Sequence, residues 1–223
     1  MTTKLFIQAI NKYVLGIISV GLLIFLPAGT LDFFQGWLLM EILFIPMLFA
    51  GIVMMVKNPE LLKRRLDAKE KQNDQSIVIK LSGVMFLAGF IIAGLGIRFD
   101  WYVLPRKVVV LFAVIFLLAY LLYAEVLREN TYLSRIIEIQ EGQKVIDTGV
   151  YGIVRHPMYS ATLLLFLSMP LVLGSIYSFL IFLVYPLIIA KRIKGEEAYL
   201  ERELDGYREY KKKVKYRLIP YIW

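Results

Sequence analysis

The chain of 223 residues contains no cysteine and a single histidine, His156. Without cysteine it can form no disulfide framework and carries no thiolate nucleophile or ligand. One histidine is too few for the usual zinc ligand sets, which carboxylates alone would have to complete. We therefore expect no metal site and no cysteine chemistry.

Charge is scarce within the long apolar runs. Charged residues make up 20% of the chain and hydrophobic residues 59%, and mean hydropathy is +0.65. A helix needs about 20 apolar residues to cross a bilayer. Four runs are predicted as spans, at residues 13–27, 37–56, 77–97 and 108–127. The first is short, but no small-residue cleavage pattern follows it, so we expect a retained span. The sequence predicts an all-α, polytopic membrane protein.

The net charge of +8 is concentrated between and after the apolar runs. This placement favours contact with the cytoplasm and with anionic lipid headgroups over nucleic-acid binding. Residues 57–75 carry six Lys or Arg, whereas residues 29–36 carry none. The positive-inside rule then puts the basic loop and both termini in the cytoplasm. Membrane lipids are expected partners, and nucleic acid is not.

The last apolar run, residues 161–190, predicts a helical hairpin. As one helix it would be about 45 Å long, too long for a hydrocarbon core of about 30 Å. Pro170 and the Gly174-Ser175 pair near its middle are candidate helix breakers. The ten Lys or Arg from Lys191 onward would face outward after a single crossing, whereas a hairpin returns them to the cytoplasm. Five to six membrane segments are therefore expected.

A hairpin brings its two ends together, so Arg155-His156-Pro157 should lie near residues 191–200. Pro157 suits the first turn of a helix and biases His156 toward an extended backbone. Arg192 and Glu196 are four residues apart on one helical face. From the residues alone, these groups fit either an interfacial belt with salt bridges or a site for a charged ligand.

Apolar residues recur at helical spacing in the C-terminal tail, which predicts an amphipathic helix interrupted near Gly206. It could lie on the membrane or fold over the site. The members of this pattern are Ile193, Leu200, Leu204, Tyr207, Tyr210 and Val214.

Two segments carry a family resemblance: VIDTGVYGIVRHPMYSATLL and, after the hairpin, KRIKGEEAYLERELDGYREYKKKV. Together they resemble the isoprenylcysteine carboxyl methyltransferases and the related phospholipid methyltransferases. The resemblance covers about the last hundred residues, from Glu129 onward. It implies a catalytic region at residues 128–223, with a cofactor loop, the hairpin 157–190 and a C-terminal helix, behind an N-terminal transmembrane region at residues 1–127.

The resemblance implies that S-adenosylmethionine binds at the cytoplasmic end of the last helices and that a lipophilic acceptor enters from the bilayer. Arg192 would hold the acceptor and act in catalysis, Gln140 is a weaker candidate for the cofactor, and His156 or Glu197 are candidate bases if the acceptor must lose a proton. The implied cofactor-binding residues are Gln143, Lys144, Val145, Ile146, Tyr151, His156, Pro157, Met158, Tyr159 and Glu196.

Several alternatives stay open. The acceptor could be a carboxylate, as in an isoprenylcysteine, or an amine or thiol, as in a phospholipid N-methyltransferase. NADPH-dependent membrane sterol reductases carry a similar R-H-P-x-Y segment, typically with Asn where this chain has Met158. The Glu196-Glu197 pair favours methyl transfer over reduction. A transporter or scaffold is less well supported, because the four predicted spans contain almost no central ionisable residue apart from Glu41.

Overall fold

A computed structural model of the chain describes residues 3–66, 73–134 and 139–223. It is 76% helical and contains no strand in these ranges, which confirms the all-α prediction. A 3-10 turn, Gly149–Gly152, precedes the sixth helix. The helices are α1 (Thr3–Ala28), α2 (Phe34–Lys57), α3 (Pro59–Leu66), α4 (Asn73–Arg98), α5 (Arg106–Glu129), α6 (Pro157–Val172), α7 (Ile176–Phe182), α8 (Tyr185–Glu203) and α9 (Tyr207–Lys213).

Five helical segments in the described ranges are long and apolar enough to cross a membrane: α1, α2, α4, α5 and the combined α7–α8 segment. The shorter apolar helix α6 makes a sixth membrane segment. The prediction of four spans followed by a hairpin is confirmed. Residues 67–72 of the basic loop and residues 135–138 of the cofactor loop lie outside the described residues.

The first span is longer than predicted, because α1 begins at Thr3 and not near residue 13. Lys4 and Lys12 do not stop the helix, since long cationic side chains can reach the headgroup level while their backbone stays helical. Lys12 donates from Nζ to the carbonyl oxygen of Leu66 at the end of α3. The N-terminal half of α1 therefore lies beside the described part of the basic loop.

The hairpin turns at Gly174 and Ser175. Gly174 has φ +73°, and a Cβ there would lie 2.9 Å from Cγ1 of Val103, so both the backbone and the space require glycine. Ser175 caps α7 by accepting the Ser178 N–H at 3.2 Å. Pro170 was wrongly predicted as a breaker: α6 continues through it to Val172. The left-handed glycine, rather than the proline, reverses the chain.

The hairpin turn and the basic loop lie at opposite ends of the helices. Leu104 donates its N–H to Gly174 O at 2.9 Å, which joins the turn to the loop between α4 and α5. At the other end, Arg64 of α3 donates to Thr131 O at 2.7 Å, just after α5. The start of α6 and the end of α8 are therefore on the side of α3. Which side faces the cytoplasm stays a prediction.

The main buried core draws on helices from both predicted regions. Phe86 of α4 meets Phe166 of α6 and Phe182 of α7 edge to face, at ring centroid separations of 4.8 Å and 5.3 Å. The helices α1 and α4 cross closely, because a Cβ at Gly94 would lie 2.5 Å from Ile24 O. This packing holds the hairpin against the other spans. The division at residue 128 stays a prediction.

The predicted orientation can be tested with single cysteines, since the natural chain has none. Lys212 is exposed on α9, at the basic end, and Asp32 is exposed in the loop between α1 and α2, at the other end. We expect Lys212→Cys to react with an impermeant maleimide only from the cytoplasmic side, and Asp32→Cys only from the opposite side. External labelling of Lys212→Cys would overturn the orientation.

Candidate active site

A cavity with an empty volume of about 840 Å³, including solvent at its mouth, opens between the start of α6, the middle of α8 and α9. Eleven sequence-predicted residues line it: Gln143, Lys144, Val145, Ile146, Tyr151, His156, Pro157, Met158, Tyr159, Arg192 and Glu196. Residues from both ends of the hairpin thus meet in one cavity, although their individual roles stay predictions.

His156 lies at the start of α6 with its side chain buried. Pro157 occupies the first turn of the helix, as predicted, and His156 is the N-cap with φ −125° and ψ 60°. The His156 N–H donates to Arg217 O at 2.9 Å, so the C-terminal segment runs beside this loop. Its ring nitrogens face the adjacent glutamates: Nε2 lies 3.3 Å from Glu197 Oε1 and Nδ1 lies 3.9 Å from Glu196 Oε1.

The hydroxyl of Tyr159 joins the two charged residues of α8 that line the cavity. It donates to Glu196 Oε2 at 2.5 Å and accepts from Arg192 Nε at 2.8 Å. Arg192 is buried, whereas the Glu196 side chain is 23% exposed. Opposite charges therefore lie on either side of one phenol, with the carboxylate nearer to solvent. Such a pair can hold a ligand that carries both charges or two ligands of opposite charge.

Glu197 lies outside the cavity lining and binds Arg155, which lines the cavity, and Arg217, which does not. Its Oε1 accepts from Arg155 Nε at 2.7 Å, and its Oε2 accepts from Arg217 Nε at 3.0 Å. Arg155 also donates to the carbonyl oxygens of Val214 and Lys215, at 2.7 Å and 2.8 Å. We predicted Glu197 as a catalytic base, but its position and its bonds suit an anchor for the C-terminal segment.

The helix α9 forms the roof of the cavity. Gly206, with φ +81°, turns the chain after α8, and the buried residues Tyr207 and Tyr210 line the cavity from above. Tyr210 donates from its hydroxyl to Tyr151 O at 2.8 Å. The amphipathic pattern left two positions open for this segment, on the membrane or over the site. In the structure, α9 lies over the cavity.

The roof has both an apolar and a charged contact with the cofactor loop. Val145 packs against the cluster of Tyr207, Tyr210 and Val214. At the surface, Lys213 Nζ lies 2.6 Å from Asp147 Oδ2, and this hydrogen bond lowers the pKa of the Asp147 carboxyl. Burial raises the pKa of the Tyr207 and Tyr210 hydroxyls, so both phenols are neutral at physiological pH.

In a comparison with known protein families, residues 106–205 match the phospholipid methyltransferase family. The matched region is 100 of the 223 residues, less than half of the chain. It includes α5, the cofactor loop, the hairpin and α8, and so carries Tyr159, Arg192 and Glu196. The predicted family resemblance is confirmed.

Two proteins that are similar to part of this chain carry different names. Protein-S-isoprenylcysteine O-methyltransferase of Schizosaccharomyces pombe is 39% identical over 72 residues, which cover 31% of this chain and 30% of the relative. A Delta(14)-sterol reductase of Mus musculus is 31% identical over 85 residues, 37% of this chain and 20% of the relative. The matches thus cover less than a third of either relative, and they bring together the two chemistries that the R-H-P-x-Y segment left open.

Sequence reasoning missed part of the cavity wall. Gln140 is not in the lining; its side-chain amide donates to Tyr132 O at 2.6 Å and supports the wall from behind. The amphipathic pattern contained Leu200, Leu204, Tyr207 and Tyr210 but did not assign them to the cavity. The sequence analysis placed Arg155 at the hairpin entrance but did not assign it to a cavity lining. No signal in the sequence pointed to the remaining lining residues, which are Asn130, Tyr132, Leu133 and Ser134.

Replacing Glu197 with Gln tests the anchor. The amide keeps the size but removes the negative charge between Arg155 and Arg217, and removing one partner of a buried ion pair costs about 3 kcal/mol or more. We expect a lower unfolding temperature in detergent and faster proteolysis of the segment after α8. Glu203→Gln, on the exposed face of the same helix, should change neither. Equal stability of the two variants would contradict the anchor.

Proposed function

We propose that the protein is an integral-membrane methyltransferase that uses S-adenosylmethionine and acts on a lipophilic acceptor. The observation that carries this proposal is the Tyr159 hydroxyl, bonded to Glu196 on one side and Arg192 on the other, inside the region that matches the family. The two charges lie in one cavity at the end of membrane helices. A water-soluble donor and a lipid-soluble acceptor could meet there.

The cavity has features that fit the cofactor. Glu196 could pair with the cofactor's ammonium group. The backbone N–H and C=O groups of residues 143–146 could form hydrogen bonds with other polar groups of the cofactor. Among the described residues, the buried hydroxyl of Tyr207 has no hydrogen-bond partner, and it belongs to a lining residue. A buried hydroxyl of this kind suits a bound polar ligand.

The chain's own residues would mainly align the reactants and exclude water. When bound, S-adenosylmethionine supplies a methyl group on a positively charged sulfur, and its transfer depends on alignment of the acceptor and on a dry site. Tyr151 and Pro157 to Tyr159 would form the wall beside the cofactor. Tyr207 and Tyr210 of the roof would shield it from the aqueous side.

Arg192 would position an acidic acceptor. A carboxylate, with a pKa near 4, is already ionised at neutral pH and needs a cation to hold it more than a base. A guanidinium can bind a carboxylate through two nitrogens, and Arg192 is buried within the hairpin, near the lipid-facing helices. We therefore favour an acceptor that is a lipid-like carboxylate, such as an isoprenylcysteine. For an amine acceptor, as in phospholipid N-methylation, His156 is the candidate base in the cavity lining.

The orientation of the site follows from charge. The cavity lies at the end of the helices that carries α3 and the C-terminal lysines, so the positive-inside rule favours a cytoplasmic site. That side would supply the water-soluble cofactor.

A sterol-type reductase that uses NADPH is the second candidate, favoured by the local similarity to the mouse Delta(14)-sterol reductase. Calorimetric titration of the purified protein with S-adenosylhomocysteine and with NADPH separates the two. We expect heat of binding with S-adenosylhomocysteine and none with NADPH. Binding of NADPH alone would replace the methyltransferase proposal with the reductase.

The acceptor can be identified by incubating the protein with methyl-labelled S-adenosylmethionine and total membrane extract. We expect a labelled lipid-soluble product whose mass and alkali sensitivity identify a methyl ester. A labelled amine, stable to alkali, would instead support phospholipid N-methylation and would make the carboxylate assignment wrong.

Glu196→Gln should weaken S-adenosylhomocysteine binding by about tenfold, the usual effect of losing one charge-assisted bond. The fold should persist, because the amide can still accept from the Tyr159 hydroxyl. Glu203→Gln, at an exposed position of the same helix, is the matched control and should bind like the natural chain. Unchanged affinity in Glu196→Gln would remove Glu196 from the cofactor site.

A further inference from the structure

The end of α5 contacts two stretches of the cavity wall through adjacent side chains. Glu129 is the last residue of the helix and Asn130 is its C-cap. Glu129 bonds the backbone of the 3-10 turn Gly149–Gly152. Asn130 bonds the hydroxyl of Tyr151 in that turn and the backbone of Tyr132 in the wall after α5. The family resemblance assigned no role to either side chain.

Glu129 replaces a missing cap. The start of a 3-10 turn leaves backbone N–H groups without partners, and Thr148 at the N-cap makes no side-chain hydrogen bond to them. Glu129 Oε2 accepts from the Val150 N–H at 3.0 Å. A carboxylate at the C-terminus of its own helix is unfavourably placed toward that helix's dipole. Glu129 therefore does not stabilise α5 itself, and its carboxylate serves instead as the acceptor for the Val150 N–H.

Gly149 allows the carboxylate to approach the turn closely. The residue has φ +50°, in the left-handed region that favours glycine. A Cβ at this position would overlap Oε1 of Glu129. The Glu129 carboxylate can therefore reach the turn only because residue 149 has no side chain.

Asn130 extends the same contact to the cavity surface. Its Nδ2 donates to the hydroxyl of Tyr151 at 3.0 Å, and its Oδ1 accepts from the Tyr132 N–H at 3.0 Å. Both tyrosines line the cavity. The side chain of Tyr151 is buried, so its hydroxyl needs a partner, and Asn130 supplies one.

We propose that Glu129 and Asn130 are positioning residues that shape the cofactor cavity, Glu129 by capping the turn at Gly149–Gly152 and Asn130 by orienting Tyr151 and the wall at Tyr132. Neither touches the reacting atoms, and both act through backbone and phenol groups that line the cavity. The assignment of the ligand as a cofactor rests on the proposed function. The capping contact itself does not.

The first experiment measures Glu129→Ala and Glu129→Gln against Glu125→Ala, an exposed residue one turn earlier that pairs with Arg128. Hydrogen exchange in the fragment 147–154 should be about tenfold faster in Glu129→Ala, because the Val150 N–H loses its acceptor. Glu129→Gln keeps an oxygen acceptor and should restore most of the protection, and Glu125→Ala should exchange like the natural chain. Unchanged exchange in a folded Glu129→Ala overturns the capping role.

The second readout is binding. Glu129→Ala should lower affinity for S-adenosylhomocysteine about tenfold and raise KM for S-adenosylmethionine, with a smaller change in kcat at saturation. If the natural chain binds no S-adenosylhomocysteine, the proposed function fails while the exchange result still decides the capping contact. If the natural chain binds S-adenosylhomocysteine and Glu129→Ala binds it as tightly as the Glu125→Ala control does, the positioning role is overturned while the proposed function stands.

The variants Asn130→Ala and Tyr151→Phe give a separate test, which does not require that Glu129→Ala folds. If Asn130 acts through the Tyr151 hydroxyl, each change should weaken S-adenosylhomocysteine binding and the double variant should be less than additive. Full additivity would overturn the link between Asn130 and Tyr151.

Discussion

The buried carboxylate of Glu197 connects three parts of the chain that are far apart in sequence. It bonds Arg155 before α6, 42 residues away, and Arg217 in the C-terminal segment. Arg155 in turn binds the carbonyl oxygens that follow α9. With these bonds the C-terminal segment runs beside the start of the hairpin, and α9 lies over the cavity. Without them, the buried guanidinium of Arg155 and the partly exposed guanidinium of Arg217 would lose this counterion, and the roof would be held mainly by its apolar cluster.

Adjacent glutamates point to different sides of one helix. Successive residues of an α-helix point about 100° apart, so Glu196 lies in the cavity lining while Glu197 lies outside it and pairs with Arg155 and Arg217. The hydroxyl of Tyr159 in α6 bonds Glu196 and Arg192 of α8, which links the two ends of the hairpin at the cavity. The anchoring carboxylate and the carboxylate proposed to bind the cofactor are therefore neighbours in sequence, and changes at the two positions should have different effects on the protein.

The cavity walls depend on backbone held by distant side chains. In the 3-10 turn, the Val150 N–H donates to Glu129, and Tyr151 O accepts from Tyr210 of the roof. Lys213 of the roof donates to Asp147, and Arg64 of α3 donates to Thr131 O after α5. The membrane helices supply the rigid frame, and a few polar bonds at their ends shape the site.

The sequence by itself determined the membrane class, the hairpin and the helix start at Pro157, because apolar length, charge and proline position act locally and can be counted. The family resemblance, and not composition, implied eleven of the residues that line the cavity. The sequence did not determine where α1 begins, that Pro170 stays within a helix, or that Glu197 lies outside the cavity lining. The tertiary structure decided those points, together with the roles of Arg155, Asn130 and the roof tyrosines. Their partners are backbone carbonyls, phenols and carboxylates brought together from separate segments. Such contacts leave no periodic or compositional trace, since they exist only once the helices have packed.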